Sequence, residues 1–299
     1  MTSIRFRRGV AVLAAASLSF LAACGGSSGS DSTVAPSTTA SPGNGKKILS
    51  LSPTATEMLY AIGAGDQVVA VDSLSTYPAE TASKVTKISA FEPNAEAILA
   101  YEPDAVVISN DMNKISEQLT KVNPKITIWT GAMATTIDDV YSQIADLGTL
   151  TGHTTEAVAL VTKMKDEIAA ATAGVKAPPG ATYYYELDNT YYSLTSKTFV
   201  GSLLAGTGIT NIADGVEAGN DWPQLSAEAI VKANPSVIYL ADTKCCEQNA
   251  ASVAKRAGWS GIDAVKNGHV IELDDDVASR WGPRVVDLVK IMVEAIKGL

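Results

Sequence analysis

Two stretches of this chain carry the same pattern: Glu96-Ala-Ile-Leu-Ala-Tyr-Glu-Pro-Asp-Ala-Val-Val-Ile108 and Glu228-Ala-Ile-Val-Lys-Ala-Asn-Pro-Ser-Val-Ile-Tyr-Leu240. Glu, Ile and Pro fall at the same offsets in both, and an aromatic residue and a proline precede each, Phe91 with Pro93 and Trp222 with Pro223. A unit repeated once, at long range, indicates a duplicated supersecondary element and not a solenoid. The repeat therefore predicts two related lobes with a cleft between them, where ligands commonly bind.

Outward from these units, short apolar β-branched runs alternate with helical patterns. The first half predicts strands at 47–52, 67–71, 105–109 and 126–129, and the second half predicts strands at 182–187, 236–240 and 269–273. Helices are expected at 53–62, 95–101, 137–150, 199–205, 227–233, 250–256 and 283–296. One more helix is expected after the strand at 105–109, ending near residue 122. This alternation predicts an α/β fold of two doubly wound lobes with parallel sheets.

Residues 154–173 break the alternation, because they form one long helical pattern without a strand. At 1.5 Å per residue such a helix would be roughly 30 Å long, and Pro178-Pro179-Gly180 would end the linking segment. We interpret it as a spine helix that joins the lobes. The predicted domains are an N-terminal lobe at 46–150, the spine at 151–177 and a C-terminal lobe at 178–299.

The first 24 residues are typical of a lipoprotein signal peptide. Arg5, Arg7 and Arg8 precede an apolar run at 9–20 that is too short to span a bilayer, and Leu21-Ala-Ala-Cys24 resembles a bacterial lipobox. Cys24 would become the lipidated residue; the alternative is an ordinary secretory signal with an incidental cysteine. Residues 25–45, rich in Gly, Ser, Thr and Pro, predict a flexible tether with a reach of roughly 25 Å. The protein is thus expected outside the cytoplasm, lipid-anchored to the cell membrane.

The net charge and the cysteines limit the kinds of function that this chain can have. A net charge of −9 disfavours nucleic-acid binding, which depends on basic patches. The adjacent Cys245 and Cys246 predict a vicinal disulfide in an oxidising compartment, with two reduced thiols as the alternative. The chain has no Cys-x-x-Cys motif that would indicate zinc or redox chemistry.

The sequence offers no catalytic signature, so we do not expect an enzyme, a resident metal or a cofactor. His153 and His269 are the only histidines, and no nucleophile elbow, phosphate loop or dinucleotide fingerprint is present. The acidic run Asp274–Asp276 is interpreted as a solvated loop, with a cation site as the alternative. Two remote alternatives are an exported α/β hydrolase, which would need a Ser/His/acid set, and a ligand-sensing lipoprotein without a transporter.

Four segments together resemble a known family: the lipobox, KILSLSPTATEMLYAIGAGDQVVAV (47–71), FEPNAEAILAYEPDAVV (91–107) and DWPQLSAEAIVKANPSVIYL (221–240). They are similar to the helical-backbone class of ABC-importer substrate-binding proteins, which carry cobalamin, heme and ferric siderophores. The DWPQLS stretch looks most like the cobalamin-binding members. The resemblance implies a monomer that delivers a metal chelate to a permease dimer with its ATPase. It also implies that Glu96 and Glu228 dock onto the permease, which suits their place early in equivalent helices.

Candidate ligand contacts come from loops at strand ends, where open α/β sheets bind ligands. They are Ser52, Pro53, Tyr77, Phe91, Ser109 and Asn110 in the first lobe, and Tyr192, Trp222, Arg280 and Trp281 in the second. Core packing is the alternative for each aromatic residue, and a salt bridge with Asp274, Asp275 or Asp276 is the alternative for Arg280.

The resemblance also bears on which ligand binds. By position, Leu74 and Ser109 replace two aromatic pocket residues of cobalamin-binding relatives, and Phe91 replaces a tryptophan, which implies a less aromatic pocket. A corrinoid is the leading ligand and a ferric siderophore the alternative, because an anionic catecholate would need more cations than Arg280. Heme would need an axial residue such as Tyr77 or Tyr192.

Overall fold

Each half of the described chain forms a four-stranded parallel sheet. The structure is a computed structural model that describes residues 43–299. The N-lobe sheet consists of β1 (Ile48–Leu51), β2 (Val68–Val71), β3 (Ala105–Ile108) and β4 (Thr127–Thr130). The C-lobe sheet consists of β5 (Thr182–Glu186), β6 (Thr210–Asn211), β7 (Val237–Leu240) and β8 (Val270–Glu272). The strand orders, β2-β1-β3-β4 and β6-β5-β7-β8, are the same, which confirms two related α/β lobes.

Helices connect the strands in both lobes. The N-lobe contains α1 (Pro53–Ala61), α2 (Ala95–Leu99), α3 (Ile115–Val122) and α4 (Ile137–Thr151). After α5 (Thr154–Thr172), the chain forms α6 (Phe199–Ser202), α7 (Ala227–Ala233), α8 (Ala250–Ala254), α9 (Asp263–Lys266), α10 (Asp275–Ser279) and α11 (Val285–Lys297). Strands β1, β3 and β7 are buried along their whole length, as expected for parallel strands covered by helices on both faces.

The repeated sequence units fold into the same local structure. Asn94 caps α2 by accepting a hydrogen bond from the Ala97 N–H (2.9 Å), and Ser226 caps α7 by accepting one from the Ala229 N–H (3.1 Å). Four residues beyond each cap an isoleucine is fully buried, Ile98 in α2 and Ile230 in α7. The same cap and the same anchor therefore set both helices against the central strand that follows them.

Helix α5 is the long connecting helix. Its 19 residues span about 28 Å, and Ile168 packs against the hydrophobic cores of both lobes. The turn from α4 into α5 uses Gly152 at φ +80°, a conformation that a side chain would strain. The start of α11 also crosses the lobes, because Val285 is buried in the N-lobe core while Leu288 is buried in the C-lobe core.

Some predicted elements differ from those observed. The helix expected at 199–205 is a single turn, α6, and β6 and α9 are too short to leave a periodic signal. The acidic run is not a solvated loop: the Asp274 carboxylate accepts hydrogen bonds from the N–H groups of Asp276 (2.9 Å) and Val277 (3.3 Å) and so caps α10.

The predicted signal peptide and most of the predicted tether lie outside the described residues. The last three tether positions, 43–45, are described, and there Asn44 donates hydrogen bonds to the carbonyl oxygens of Thr151 (3.1 Å) and Leu150 (2.8 Å). These positions therefore belong to the folded body and not to the tether. Within residues 43–299, no helix combines the length and the apolar character that crossing a membrane requires.

Candidate ligand-binding cleft

A cavity of about 310 Å³ lies between the two lobes, and we call it the cleft cavity. Met133, Ala134 and Thr135 of the N-lobe form one wall. The facing wall is mostly apolar and comprises Leu187, Leu194, Phe199, Val200, Ala241, Ala278 and Leu288. Three predicted ligand contacts, Trp222, Arg280 and Trp281, also line the cleft cavity. An apolar cavity with a few polar groups at its edge is the usual form of a small-molecule site.

Trp222 lies in the loop that leads into α7, and its side chain is 46% exposed. Its backbone N–H donates a hydrogen bond to Asn220 Oδ1 (2.9 Å), which fixes the loop. Such an exposed indole in a cavity wall offers a flat apolar face to a ligand.

A second, smaller pocket of about 110 Å³ lies in the N-lobe, and we call it the N-lobe pocket. Four predicted contacts line it: Pro53, Phe91, Ser109 and Asn110. Phe91 is 62% exposed, the counterpart in the N-lobe of Trp222. The pocket adjoins the cleft cavity, because Arg280 of the cleft cavity donates a hydrogen bond to the carbonyl oxygen of Leu74, which lines the N-lobe pocket (3.2 Å).

Asp72 also lines the N-lobe pocket, and sequence reasoning did not identify it. It follows β2 and is fully buried. Burial raises the pKa of the Asp72 carboxyl, while the nearby Ser75 and the charge of Arg280 act in the opposite direction. An acidic residue directly after a buried apolar strand was the available signal.

Arg280 is held by carboxylates from both lobes. Its Nη1 donates to Glu57 Oε1 on α1 (2.9 Å) and its Nη2 donates to Asp276 Oδ1 (2.6 Å). Arg284 Nε donates to the other oxygen of Glu57 (2.8 Å). We call Glu57, Arg280, Arg284 and Asp276 the interlobe ion cluster. The salt bridge with Asp276 is one of the alternatives drawn from the sequence, whereas the pairing with Glu57 was not anticipated.

Trp281 also makes contacts that join the two lobes. Its Nε1 donates a hydrogen bond to Gln143 Oε1 on α4 (3.1 Å), and its ring packs against the N-lobe core. Trp281 thus lines the cleft cavity and also joins the lobes.

Three predicted contacts line neither cavity. Ser52 is buried, and its hydroxyl caps α1 by accepting the Ala55 N–H (3.2 Å). Tyr77 stacks on the Arg284 guanidinium at 4.1 Å beside the interlobe ion cluster. Tyr192 is exposed and forms a single β-bridge with Gln224.

Glu96 and Glu228 occupy the same position, the second residue of α2 and of α7. Both are exposed. Each follows an exposed aromatic residue of a pocket wall, Phe91 or Trp222, by five or six positions in the chain. Each lobe therefore presents one carboxylate beyond its own pocket-lining loop.

A buried acid pair lies directly behind the C-lobe wall of the cleft cavity. Glu186 ends β5 and Asp242 follows β7, and both are fully buried. Arg256 donates to both oxygens of Glu186, at 2.6 Å each. Burial, and then the neighbouring Glu186 carboxylate, raise the pKa of Asp242 to about 7. Neighbours of the pair, Leu187 and Ala241, line the cleft cavity.

The two cysteines of the C-lobe are both free thiols in this structure. Desolvation, together with the neighbouring Cys246 and Asp275, raises the pKa of the exposed Cys245 thiol above its usual value. A thiol with such a pKa forms little thiolate at neutral pH and reacts slowly.

Neither histidine lies in the cleft cavity. His153 is buried at the start of α5, and His269 precedes β8. Among residues 43–299, no three His, Cys, Asp or Glu side chains are grouped so as to hold a metal ion.

Comparison with known proteins identifies a family model and relatives that are similar to this chain. Residues 48–277 match the family model described as periplasmic binding protein. An uncharacterized ABC transporter substrate-binding lipoprotein of Bacillus subtilis is 33% identical over 261 residues, covering 84% of this chain and 80% of the relative. A cobalamin-binding protein of Halobacterium salinarum is 30% identical over 258 residues, covering 84% of this chain and 69% of the relative.

A solved structure agrees with the sequence relatives. The crystal structure of a possible iron-binding (periplasmic solute-binding) protein from Staphylococcus epidermidis aligns with a TM-score of 0.70 at 26% identity, covering 84% of this chain and 98% of that one. Two parallel-sheet lobes, a long connecting helix and a cavity between the lobes agree with these matches, and the chain belongs to the periplasmic binding protein family.

Proposed function

We propose that this protein is the substrate-binding component of an ABC importer and that it captures a corrinoid between its lobes. The observation that carries the proposal is the cleft cavity, which both lobes line and in which Trp222 presents an exposed indole. A ligand held there can be released to a permease when the lobes shift. The cobalamin-binding relative, 30% identical over most of this chain, supports the choice of a corrinoid.

The surroundings of the cavity suit a large, flat ligand. A corrinoid is larger than the cleft cavity, so we expect it to extend toward the N-lobe pocket and to cover Leu74 and Phe91, which are both exposed. Covering such apolar side chains is favourable at about 25 cal/mol per Å². The mixed aliphatic and aromatic surface would contact the corrin ring faces and its methyl groups.

Heme or a ferric siderophore is the second candidate, and Met133 is the observation that favours heme. Its exposed side chain lines the cleft cavity, and a methionine thioether can ligate heme iron. Tyr77 and Tyr192, the axial ligands considered from the sequence, lie outside the cavity. Loss of heme binding in Met133→Leu, with corrinoid binding absent, would support this candidate.

We infer that the chain binds its ligand without transforming it. Neither His153 nor His269 lines the cleft cavity, so the residues described there do not assemble a Ser/His/acid set. The acids behind the cavity wall, Glu186 and Asp242, are fully buried and out of reach of a ligand. This supports transport over the hydrolase alternative.

We further propose a lipid anchor at Cys24, which lies outside the described residues. The lipobox-like Leu21-Ala-Ala-Cys24 and the lipoprotein among the relatives support it. In cells, Cys24→Ser should move the protein from the membrane fraction to the soluble fraction, because the variant lacks the thiol that would carry the lipid. Continued membrane association of this variant would refute the anchor.

The decisive experiment is a direct titration of the purified protein by isothermal titration calorimetry. Cyanocobalamin, hemin and several ferric siderophores would each be tested. We expect saturable binding of cyanocobalamin with one ligand per chain and no comparable heat from the others. Saturation by hemin or a siderophore, with no heat from cyanocobalamin, would replace the corrinoid by that ligand.

A further inference from the structure

Within residues 43–299, Lys197 is the cation of the cleft cavity for which the structure shows no ion pair. Among the described residues that line the cavity, Lys197 and Arg280 are the cationic ones. Arg280 is neutralised by Glu57 and Asp276 and is also bonded to the carbonyl oxygen of Leu74. Lys197, by contrast, is exposed and has no described carboxylate as a partner. Among the described lining residues, the positive charge that the cavity offers to a ligand is therefore that of Lys197.

The backbone around Lys197 is fixed by several hydrogen bonds. The Lys197 N–H donates to Thr195 Oγ1 (3.4 Å), and the Ser196 N–H donates to Asp214 Oδ1 (2.8 Å). The loop also lies tightly on α6, because a Cβ on Gly201 would fall 2.2 Å from the Thr195 carbonyl oxygen. A rigid loop thus sets where the ammonium group can reach, which favours a defined contact over a freely moving surface lysine.

The cavity wall also contains an acid, Asp221. Its Oδ1 accepts a hydrogen bond from Thr195 Oγ1 (3.0 Å), so the carboxylate holds the same loop in place. Asp221 and Lys197 are not paired, although they line one cavity. The ammonium group remains available to a ligand.

We propose that Lys197 binds the anionic group of the ligand and thereby contributes to its selection. This inference rests on the proposed function. For a corrinoid with a nucleotide loop, the group is the phosphodiester, which carries a single negative charge. One unpaired cation matches one such charge, and a charge-assisted hydrogen bond from an ammonium to a phosphate oxygen is stronger than a neutral one.

The test compares two corrinoids that differ in this group. Cyanocobalamin has the phosphodiester, whereas dicyanocobinamide lacks the nucleotide loop. Lys197→Gln should weaken cyanocobalamin binding about 3- to 10-fold, the range for an ion pair at a partly exposed site, and should change cobinamide binding less than about 2-fold. Lys197→Arg should retain most of the affinity for cyanocobalamin. The specific loss should shrink as the salt concentration rises, because salt screens the charge.

Lys255→Gln is the matched control, since Lys255 is exposed in the same lobe and does not line the cleft cavity. It should leave both affinities unchanged. An equal loss for both corrinoids in Lys197→Gln, or no loss for cyanocobalamin, would overturn the role of Lys197 and leave the corrinoid assignment intact. Failure of the unmodified protein to bind either corrinoid would instead overturn the proposed ligand, and this inference with it.

Discussion

Trp222 is 46% exposed in a mostly apolar cavity wall, so its substitution is the clearest single-residue test of the cleft. We expect Trp222→Ala to weaken ligand binding by at least about 1 kcal/mol, because stacking and apolar contact are lost. Calorimetric titration measures the change. Val216→Ala, at another exposed apolar side chain of the C-lobe, is a control that should have no effect. Unchanged affinity in Trp222→Ala would show that the ligand lies elsewhere.

Asp242 gives a prediction about pH. Its pKa in the folded protein is raised to about 7 by burial and by Glu186, above the usual value near 4 of an unfolded chain. Between these two values the folded protein holds a proton that the unfolded chain has lost, so this group lowers the free energy of unfolding as pH rises from about 4 to about 7. Urea unfolding of Asp242→Asn across that range should show a flatter pH dependence. An unchanged slope would contradict the assignment.

Some site residues could be predicted from the sequence and others could not. Trp222 and Phe91, predicted as ligand contacts because each precedes a copy of the repeated unit, line the cleft cavity and the N-lobe pocket. The partner of Arg280 was not predictable, because Glu57 is more than 200 positions away and is reached only when the lobes pack together. Lys197 was missed for the same kind of reason: an unpaired cation is recognised only after every carboxylate has been placed.

At the scale of elements, the interlobe ion cluster joins α1 to the segment between α10 and α11. Glu57 is almost fully buried and receives both arginines. Glu57→Gln removes the negative charge, leaves Arg284 without its carboxylate partner and leaves Arg280 with Asp276 alone, which should destabilise the protein by about 2–3 kcal/mol. Urea denaturation measures this. The control is Glu294→Gln, whose surface pair with Lys297 should contribute under about 0.5 kcal/mol. Equal effects of the two variants would show that the cluster does not hold the lobes.

Elements with a strong local signal were predicted well. Helices α1, α4, α5 and α7 lie within one or two residues of their expected bounds, because each has a cap, a proline start or a long apolar period. Short elements such as β6 and α9 have no such period and form because neighbouring strands and loops pack onto them. The cap of α10 was interpreted as a solvated loop because charge alone does not show which N–H groups a carboxylate meets.

For the whole molecule, the two repeated units predict how it meets its transporter. We expect Glu96→Ala combined with Glu228→Ala to leave ligand affinity unchanged and to abolish uptake, because both carboxylates are exposed and lie outside the two cavities. Binding is measured by calorimetry, and uptake with labelled ligand in cells. Glu117→Ala with Glu294→Ala, one exposed glutamate from each lobe, is the matched control. Full uptake by the double variant at Glu96 and Glu228 would remove the docking role.

The two-lobe fold was predictable from the duplication alone, since one repeat at long range requires two similar units. The way the lobes meet was not, because it depends on contacts between distant segments. Val285 reaches the N-lobe core and Trp281 bonds with Gln143, and neither contact leaves a pattern along the chain. The sequence therefore predicted that a cleft lies between the lobes, whereas the full set of residues that line it is known only from the structure.

The bonds across the lobes are made between the protein's own side chains, and this has a consequence for how tightly the protein can hold a ligand. The two lobes lose the entropy of moving independently when the chain folds. A bound ligand therefore does not have to fix the lobes relative to each other. A smaller part of the free energy of the ligand's contacts is then offset by the entropy cost of ordering the lobes, so the net affinity is higher. Loosening the junction, as in Glu57→Gln, should thus weaken capture even though Glu57 lines neither the cleft cavity nor the N-lobe pocket.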